Sequence, residues 1–333
     1  MSAQDWIDPE DTEHKVHMTQ NLRFPPAIDN SMRKELVKCQ KIAHWKFEKG
    51  LNEPGVSPDL HAGGAFAAGC EAVRKAFYLG QKSDADALNA GIEALHKAYG
   101  DFVPPAPKKY KTAKTAERMA GALAYYFGER PLSTETLVPI LLGKELGVEI
   151  SFDFEIPIAH PDTGLPLTYC GRFDMLAVDD DKKVWVVDEK TTGDMGEGWL
   201  NQWNLDSALT GYCWGARKLL DSHGIDLPVA GAIINGVAIR ALSNALPYET
   251  RQVNTYRQPW EVDRWYLQML KDVRAWQVAY LTKDHNQVLD HACALYNNPC
   301  QYAKLCKSAN PEQMESSYEV RFWNPLTREQ EKA

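Results

Sequence analysis

Two strand-like segments joined by a short polar turn constrain the fold of this chain most. LTYCGRFDMLAV (167–178) and KVWVVDEKTT (183–192) are rich in β-branched and aromatic residues, and the run DDDKK (179–183) joins them. This pattern predicts a β-hairpin. If the hairpin turns symmetrically about Asp181, residues whose numbers sum to 362 lie opposite each other, so Asp174 faces Asp188.

The acids of this hairpin are placed to bind a metal ion. Opposed residues of an antiparallel pair have Cβ atoms about 4.5–5.5 Å apart, so the two carboxylates could hold one cation. Because side chains alternate along a strand, Asp188 and Lys190 share a face and Glu189 points away from it. Carboxylate ligands favour Mg²⁺ or Mn²⁺, and Lys190 could orient a water or neutralise a phosphate. The alternative is a surface hairpin on which these residues have no shared role.

The rest of the chain gives the order of elements. Helical periodicity occurs at 31–50, 62–80, 84–99, 111–128, 198–220 and 260–281, and strand patterns occur at 150–158, 228–239 and 248–258. This order predicts an α/β fold with a mixed β-sheet flanked by helices. The predicted division is a flexible arm (1–30), a helical region (31–145), a sheet core (146–282) and a cysteine-containing C-terminal segment with a tail (283–333).

Charge and hydropathy limit the classes of function. The net charge of −8 argues against a protein that coats nucleic acid indiscriminately, because phosphate binding needs basic surface. No apolar run approaches the roughly 20 residues that span a bilayer, and the acidic N-terminus is not a secretory signal. We therefore expect a cytoplasmic protein without a membrane partner. A local basic strip begins one helix and is either a solvated face or a track for phosphates: Lys108, Lys109, Lys111, Lys114 and Arg118.

The two hairpin strands carry motifs of a known family. GRFD (171–174) and VVDEKTT (186–192) resemble the G-x-x-D and D-x-K-T motifs of RecB-like nucleases in the PD-(D/E)XK superfamily. The resemblance extends from about Ser31 to Cys306 and is strongest to phage-borne, exonuclease-like members. It implies a restriction-endonuclease-like core, with 146–282 as the nuclease region.

The resemblance also implies roles for single residues. Asp174 and Asp188 would be metal ligands and catalytic residues, and Lys190 the catalytic lysine. Glu189 would reach the metal only through its backbone carbonyl. Glu155, on the preceding strand, matches an acid that some members carry there; its alternative is a solvent-facing strand residue.

Two positions depart from the family pattern. Ala67 stands where relatives often carry the histidine of a G-x-x-H segment, and His61 lies six residues too early. Ala208 stands where the glutamine of Q-x-x-x-Y is expected, although Tyr212 is retained. The resemblance implies that Tyr212, together with Thr191 of the D-x-K-T motif, contacts substrate.

Three of the seven cysteines, Cys293, Cys300 and Cys306, lie close together near the C-terminus. On spacing alone they are either metal ligands or free buried thiols. Iron–sulfur RecB-like nucleases hold a [4Fe–4S] cluster with one early and three late cysteines, and the resemblance implies Cys39 as the fourth ligand, with zinc as the alternative metal. The remaining cysteines (Cys70, Cys170 and Cys213) and three tryptophans (Trp185, Trp214 and Trp276) are expected in the core. Six further histidines show no recognisable ligand spacing: His44, His96, His160, His223, His285 and His291.

The leading hypothesis is a metal-dependent nuclease that acts on DNA ends or single strands, in phage recombination or DNA processing. A recombination or single-strand-annealing protein is the partner that the resemblance suggests, and the sequence leaves open whether the chain forms oligomers. The first rival is a nuclease-fold DNA-binding or assembly protein with weak or no catalysis, which the Ala67 and Ala208 departures favour. The second rival is a cysteine–metal interaction module.

Overall fold

The structure is a computed structural model that describes residues 23–105, 114–240, 247–288, 292–295 and 298–332. The expectations for Lys108, Lys109, Lys111, His291 and most of the N-terminal arm lie outside the described residues. The helices are α1 (Asn30–Lys38), α2 (Gln40–Ala43), α3 (Pro58–Tyr78), α4 (Asp84–Tyr99), α5 (Ala116–Glu129), α6 (Glu197–Asn201), α7 (Ser207–Ser222), α8 (Pro259–Thr282), α9 (Ala303–Lys307) and α10 (Glu312–Glu315). A π-helical turn, His44–Glu48, follows α2, and a 3₁₀ turn spans Leu132–Thr134.

The long strands are β6 (Val148–Ala159), β7 (Pro166–Val178), β8 (Val184–Thr192), β9 (Val229–Ile239) and β10 (Tyr248–Tyr256). The short strands are β1 (Ala27–Ile28), β2 (Leu51–Asn52), β3 (Val138–Pro139), β4 (Leu141–Leu142), β5 (Glu145–Leu146), β11 (Ala294–Leu295), β12 (Asn298–Pro299), β13 (Glu319–Asn324) and β14 (Glu329–Lys332). Contact density divides the chain into two compact units. Unit 1 contains the described residues of 1–54, 155–169 and 270–333, and unit 2 contains those of 55–154 and 170–269.

Unit 2 is built on a mixed sheet in the order β7-β8-β9-β10, with β3 and β6 also paired to β7. β7 and β8 are antiparallel, β8 and β9 are parallel, and β9 and β10 are antiparallel. The parallel pair requires a crossover, which α6 and α7 provide. The predicted α/β fold with a mixed sheet is therefore confirmed.

Helices cover both faces of this sheet. On one face α3, α4 and α5 pack in a buried cluster with Val237 and Ile239 of β9. Two glycines let α3 and α4 approach closely, because a Cβ on Gly91 would lie 2.2 Å from Val73 and 2.9 Å from the Gly69 carbonyl. On the other face α7 contacts β8 and β9.

Unit 1 has a core and a small sheet of its own. β13 pairs with both β2 and β14, and β1 runs parallel to β7 at Thr168 and Tyr169. Arg33 of α1 forms a 2.7 Å ion pair with Asp272 of α8. Gly50 has a φ of +68°, and a Cβ there would lie 3.1 Å from Phe322, so this turn requires glycine.

Most of the predicted elements are present. The strands predicted at 150–158, 167–178, 183–192, 228–239 and 248–258 correspond to β6 to β10, and the predicted helix 84–99 coincides with α4. Two predicted helices were wrong in extent. The chain leaves helical geometry at Cys39, whose backbone is extended (φ −169°, ψ 124°), so 31–50 is not one helix. The helix predicted at 198–220 is divided into α6 and α7, and Asp206 caps the start of α7.

The core residues predicted from the sequence are buried. Cys70, Cys170 and Cys213 are 0–2% exposed, and Trp185, Trp214 and Trp276 are 0–6% exposed. In the part of the chain that the structure describes, no helix is long and apolar enough to cross a membrane.

Candidate functional site

The predicted register of the β7–β8 hairpin is confirmed. Met175 pairs with Val187 and Val178 pairs with Val184, and both pairs sum to 362. Beyond Met175, the carboxylate of Asp174 accepts a 2.8 Å hydrogen bond from the backbone N–H of Glu189. Asp174 is thereby held beside the end of β8 that carries Asp188 and Lys190.

The three charged groups at this position act on one another. Lys190 Nζ lies 2.6 Å from Asp188 Oδ2, and the Asp188 side chain is only 7% exposed. Burial raises the pKa of Asp174 to about 8, with a further contribution from the Asp188 carboxylate. Burial also raises the pKa of Asp188, although Lys190 opposes the shift. Burial acts to lower the pKa of Lys190, but Asp188 and Asp174 outweigh it and the net shift is upward. Lys190 is therefore a fixed positive charge beside two carboxylates.

The side chain of Glu189 points to the opposite face of β8, as alternation predicts. Both of its oxygens bond the guanidinium of Arg74 on α3, and the Tyr126 hydroxyl of α5 lies 3.4 Å from Oε1. The Arg74 and Glu189 side chains are 3% and 2% exposed. This pairing holds the Glu189 carboxylate away from Asp188, so only the backbone carbonyl of Glu189 remains for a metal on the other face.

The acid of β6 that acts on Asp174 is Glu149, and Glu155 is exposed. Glu149 Oε2 lies 2.7 Å from Arg172 Nε, its side chain is 6% exposed, and it contributes to the raised pKa of Asp174. Sequence reasoning missed Glu149 because its φ is +53°, outside the regular strand geometry on which alternation depends. An acid at the beginning of the strand is the only signal that the sequence offered.

The helix after β8 brings further groups to the site. Asp206 accepts hydrogen bonds from the backbone N–H groups of Ala208 and Leu209 at 2.8 and 3.0 Å, and it contributes to the raised pKa of Asp188. Sequence reasoning also missed Asp206, which the N-cap preference for aspartate could have revealed. Tyr212, one turn further along α7, interacts electrostatically with Lys190.

Thr191 and the described part of the basic strip lie on the face of β8 that carries Glu189. Thr191 Oγ1 accepts a long hydrogen bond, 3.4 Å, from Lys114 Nζ, which also pairs with Asp59 at 3.0 Å. The Arg118 guanidinium donates to the carbonyl of Arg240 at 2.8 Å. Both described basic residues therefore have protein partners and do not form a freely solvated face.

Ala67 stands on α3 where relatives often carry a histidine, and His61 does not take its place. His61 hydrogen-bonds the Tyr99 carbonyl at 2.9 Å and its ring packs on Phe102, so it serves the helical core of unit 2. One turn after Ala67, Cys70 is fully buried; burial raises the pKa of its thiol well above the usual value, and Glu189 adds to the shift. Cys70 and Arg74 are thus the α3 side chains that interact with the end of β8.

The four cysteines of the predicted cluster come together in unit 1. The Cys39 sulfur lies 3.4 Å from the backbone nitrogen of Val288, and the Cys293 thiol donates to the carbonyl of Val288 at 3.3 Å. The backbone N–H of Cys300 donates to the Cys293 carbonyl at 2.8 Å. Burial raises the pKa of Cys306, and Cys300, Cys39 and Cys293 all add to the shift.

The surroundings of these cysteines are apolar. Cys39, Cys300 and Cys306 belong to a cluster with Ile42, Trp45, Leu51, Ala292, Tyr302, Leu305 and Tyr318. The neighbouring Trp45 indole lowers the pKa of Cys306 and so opposes the shift that burial causes. No three of the four sulfurs, all of them in described residues, lie within 4.8 Å of one another. The four cysteines therefore converge on one part of unit 1, although they come from distant parts of the sequence.

Comparison with known proteins adds little to this description. No family model matches the chain, and no curated protein matches its sequence. Among eleven solved chains that match in structure, one from Eubacterium rectale bears the name "Putative exonuclease"; it is 10% identical, with a TM-score of 0.46 over 92% of this chain and 98% of its own. A second, whose name gives no activity, is 12% identical, with a TM-score of 0.26 over 72% of this chain and 83% of its own. Because both TM-scores are below 0.5, neither likeness supports a conclusion about this chain.

Proposed function

We propose that this protein is a metal-dependent DNA nuclease, in which Asp174 and Asp188 bind Mg²⁺ or Mn²⁺ and Lys190 assists hydrolysis of the phosphodiester bond. The observation that carries the proposal is the placement of the Asp174 carboxylate beside Asp188 and Lys190 by the hairpin register. DNA ends or single-stranded DNA are the proposed substrates. Phage recombination or DNA processing, beside a recombination or single-strand-annealing protein, is the proposed setting.

The residues present fit a hard divalent cation. Two buried carboxylates with raised pKa values are electrostatically unfavourable next to each other, and Lys190 supplies one positive charge against their two negative charges. Oxygen donors with room for water suit Mg²⁺ and Mn²⁺. When bound, the ion would lower the pKa of a coordinated water and stabilise charge on the scissile phosphate.

The protein groups have separate tasks in this proposal. Asp188 holds Lys190 within 2.6 Å and in its charged form, so that the ammonium can neutralise a phosphate oxygen or orient the attacking water. The backbone N–H of Glu189 orients the Asp174 carboxylate. Tyr212 remains a proposed substrate contact and the Glu189 carbonyl a proposed metal ligand. Thr191 lies on the Glu189 face of β8, so a substrate contact of Thr191 would be separate from the metal. Glu155 remains a proposed ligand, but its exposure makes Glu149 the better-placed acid of β6.

Cleavage of labelled single-stranded and duplex DNA tests the proposal. Cleavage should require Mg²⁺ or Mn²⁺ and stop with EDTA, and Asp188→Asn or Lys190→Met should lower the rate at least about 100-fold, the loss typical of a charge-stabilising group. Lys183→Met is the matched control, because Lys183 lies in the same hairpin and its ion pair with Asp181 is exposed. Metal-independent cleavage, or an equal loss in the control, would refute the proposal. DNA binding without cleavage would favour the nuclease-fold binding protein.

We also propose that Cys39, Cys293, Cys300 and Cys306 hold a [4Fe–4S] cluster. The proposal is supported by the proximity of the four cysteines, because Cys300, Cys39 and Cys293 all act on the pKa of Cys306, and by the apolar surroundings of Cys39, Cys300 and Cys306. The Trp45 N–H near Cys306 suits a thiolate acceptor.

Anaerobically purified protein should be brown and contain iron and acid-labile sulfide. Cys300→Ser should lose the colour, whereas Cys213→Ala, which changes a buried core cysteine, should keep it. Colourless protein with stoichiometric zinc would replace the cluster with zinc. Metal-free protein with four free thiols would refute both assignments.

A further inference from the structure

Three metal-ligating side chains that are far apart in the sequence meet inside unit 1. His44 and Glu48 lie on the π-helical turn after α2, and His285 lies three residues after α8. His44 Nδ1 is 2.8 Å from Glu48 Oε2, and His285 Nε2 is 2.8 Å from Glu48 Oε1. One ligand atom of each residue lies within 4.8 Å of the other two. Such π-helical insertions occur frequently at functional sites.

The burial of this group sets it apart from an ordinary surface ion pair. The Glu48 side chain is fully buried, and His285 and His44 are 1% and 13% exposed. A buried carboxylate is costly unless a positive charge or several hydrogen bonds compensate it. Trp276 contributes one such bond, because its indole N–H donates to Glu48 Oε1 at 2.6 Å. That bond fixes the orientation of the carboxylate as an outer partner does in metal sites.

We propose that His44, Glu48 and His285 form a binding site for one divalent transition-metal ion of the Zn²⁺ class. Two imidazoles and one carboxylate are a donor set that zinc accepts, whereas Mg²⁺ and Ca²⁺ favour oxygen ligands alone. The ion would neutralise the buried carboxylate while both imidazoles remain uncharged. The site contains no thiolate, so it is chemically distinct from the cysteine set.

The position of the site defines its role. Glu48 and His285 are 237 residues apart in the sequence, and an ion bound to both would close that loop. Loop closure by a metal stabilises the folded chain because it restricts the unfolded one. The role is therefore structural, and it is independent of the nuclease proposal and of its carboxylates in unit 2.

The alternative for the same contacts is a hydrogen-bonded group in which a protonated histidine compensates Glu48. The two possibilities differ in metal content and in the spectrum of bound Co²⁺. Cobalt bound by nitrogen and oxygen gives weak visible bands, whereas cobalt bound by cysteine adds intense thiolate-to-metal charge transfer. Co²⁺ is therefore the probe that separates this site from the cysteines.

The test compares the full chain with His285→Gln and with a matched control, His96→Gln, whose side chain is exposed on α4. The wild-type and control proteins should bind one more equivalent of Zn²⁺ or Co²⁺ than His285→Gln. Their Co²⁺ spectrum minus that of His285→Gln should show visible bands without thiolate charge transfer. Trp276→Phe keeps the ring but removes the N–H, and should weaken the affinity about 10-fold or more, as loss of an outer partner does.

Wild-type protein gives an answer even if His285→Gln fails to fold, because its own metal content and Co²⁺ spectrum do not depend on the variant. Zn²⁺ should raise the thermal denaturation midpoint of wild-type protein and of His96→Gln. The proposal is overturned if wild-type protein binds Co²⁺ only with thiolate bands, binds none, or loses no affinity in Trp276→Phe.

Discussion

The buried ion pair between Arg74 and Glu189 gives the sharpest test of how the site is built. Arg74→Met removes the guanidinium but keeps an unbranched apolar chain of similar length on α3. Glu189 would then retain only the Tyr126 hydroxyl at 3.4 Å as a side-chain partner among the contacts described for it. An ionised carboxylate that is 2% exposed would be left without its compensating charge.

The expected loss is large because both partners are buried. Removing one member of a buried ion pair typically costs about 3–5 kcal/mol, since the remaining charge stays desolvated. An exposed pair on the same helix, Lys75 with Glu71, has side chains that are 46% and 33% exposed. Lys75→Met is therefore a matched control and should lose only about 0.3–0.5 kcal/mol.

Urea denaturation followed by circular dichroism measures these losses. Arg74→Met combined with Glu189→Gln should be at least about 2 kcal/mol more stable than Arg74→Met alone, because replacing both members of a buried pair is often nearly neutral. A loss below about 1 kcal/mol in Arg74→Met, or no recovery in the double variant, would show that the pair does not compensate a buried charge.

Two further substitutions test packing and capping in unit 2. Gly236 lies opposite Lys190 in the β8–β9 ladder, and a Cβ added there would be 2.3 Å from the Trp199 ring. Gly236→Ala should therefore lower the free energy of unfolding by about 1–3 kcal/mol through overpacking. An unchanged urea midpoint would contradict this prediction. Ser83 Oγ accepts from the Asp86 N–H at 3.2 Å at the start of α4; Ser83→Ala should lose about 1 kcal/mol, whereas Ser83→Asn should retain most of the stability, and equal losses would argue against capping.

The elements that the sequence predicts well are those whose sequence patterns lie within a short stretch of the chain. The β7–β8 hairpin is an example, because its turn and its two strands lie within 27 consecutive residues and their numbering alone gives the register. The break at Cys39 is a counterexample. The segment around it has helical periodicity, but Cys39 has an extended backbone and packs in a cluster with Ala292 and Leu305, which lie far away in the sequence.

The same distinction applies to the candidate sites. Asp188 and Lys190 are two residues apart on one strand, so alternation alone relates them. Arg74, the partner of Glu189, is 115 residues away from it, and Glu48 and His285 are 237 residues apart. Helical or strand periodicity contains no information on such contacts, and hence the spacing of the histidines gave no indication that His44 and His285 would meet.

Because side chains alternate along β8, its two faces carry different charged groups and differ in their balance of charge. On the Glu189 face, the buried carboxylate is matched by one guanidinium, so that face is balanced by the protein itself. On the Asp188 face, burial raises the pKa values of Asp174 and Asp188, and the neighbouring carboxylates add to the rise while Lys190 opposes it. A divalent cation would therefore stabilise the second face and gain little on the first. Glu189 lies between Asp188 and Lys190 in the sequence, but because of this difference we expect its side chain to stabilise the fold and not to bind the metal.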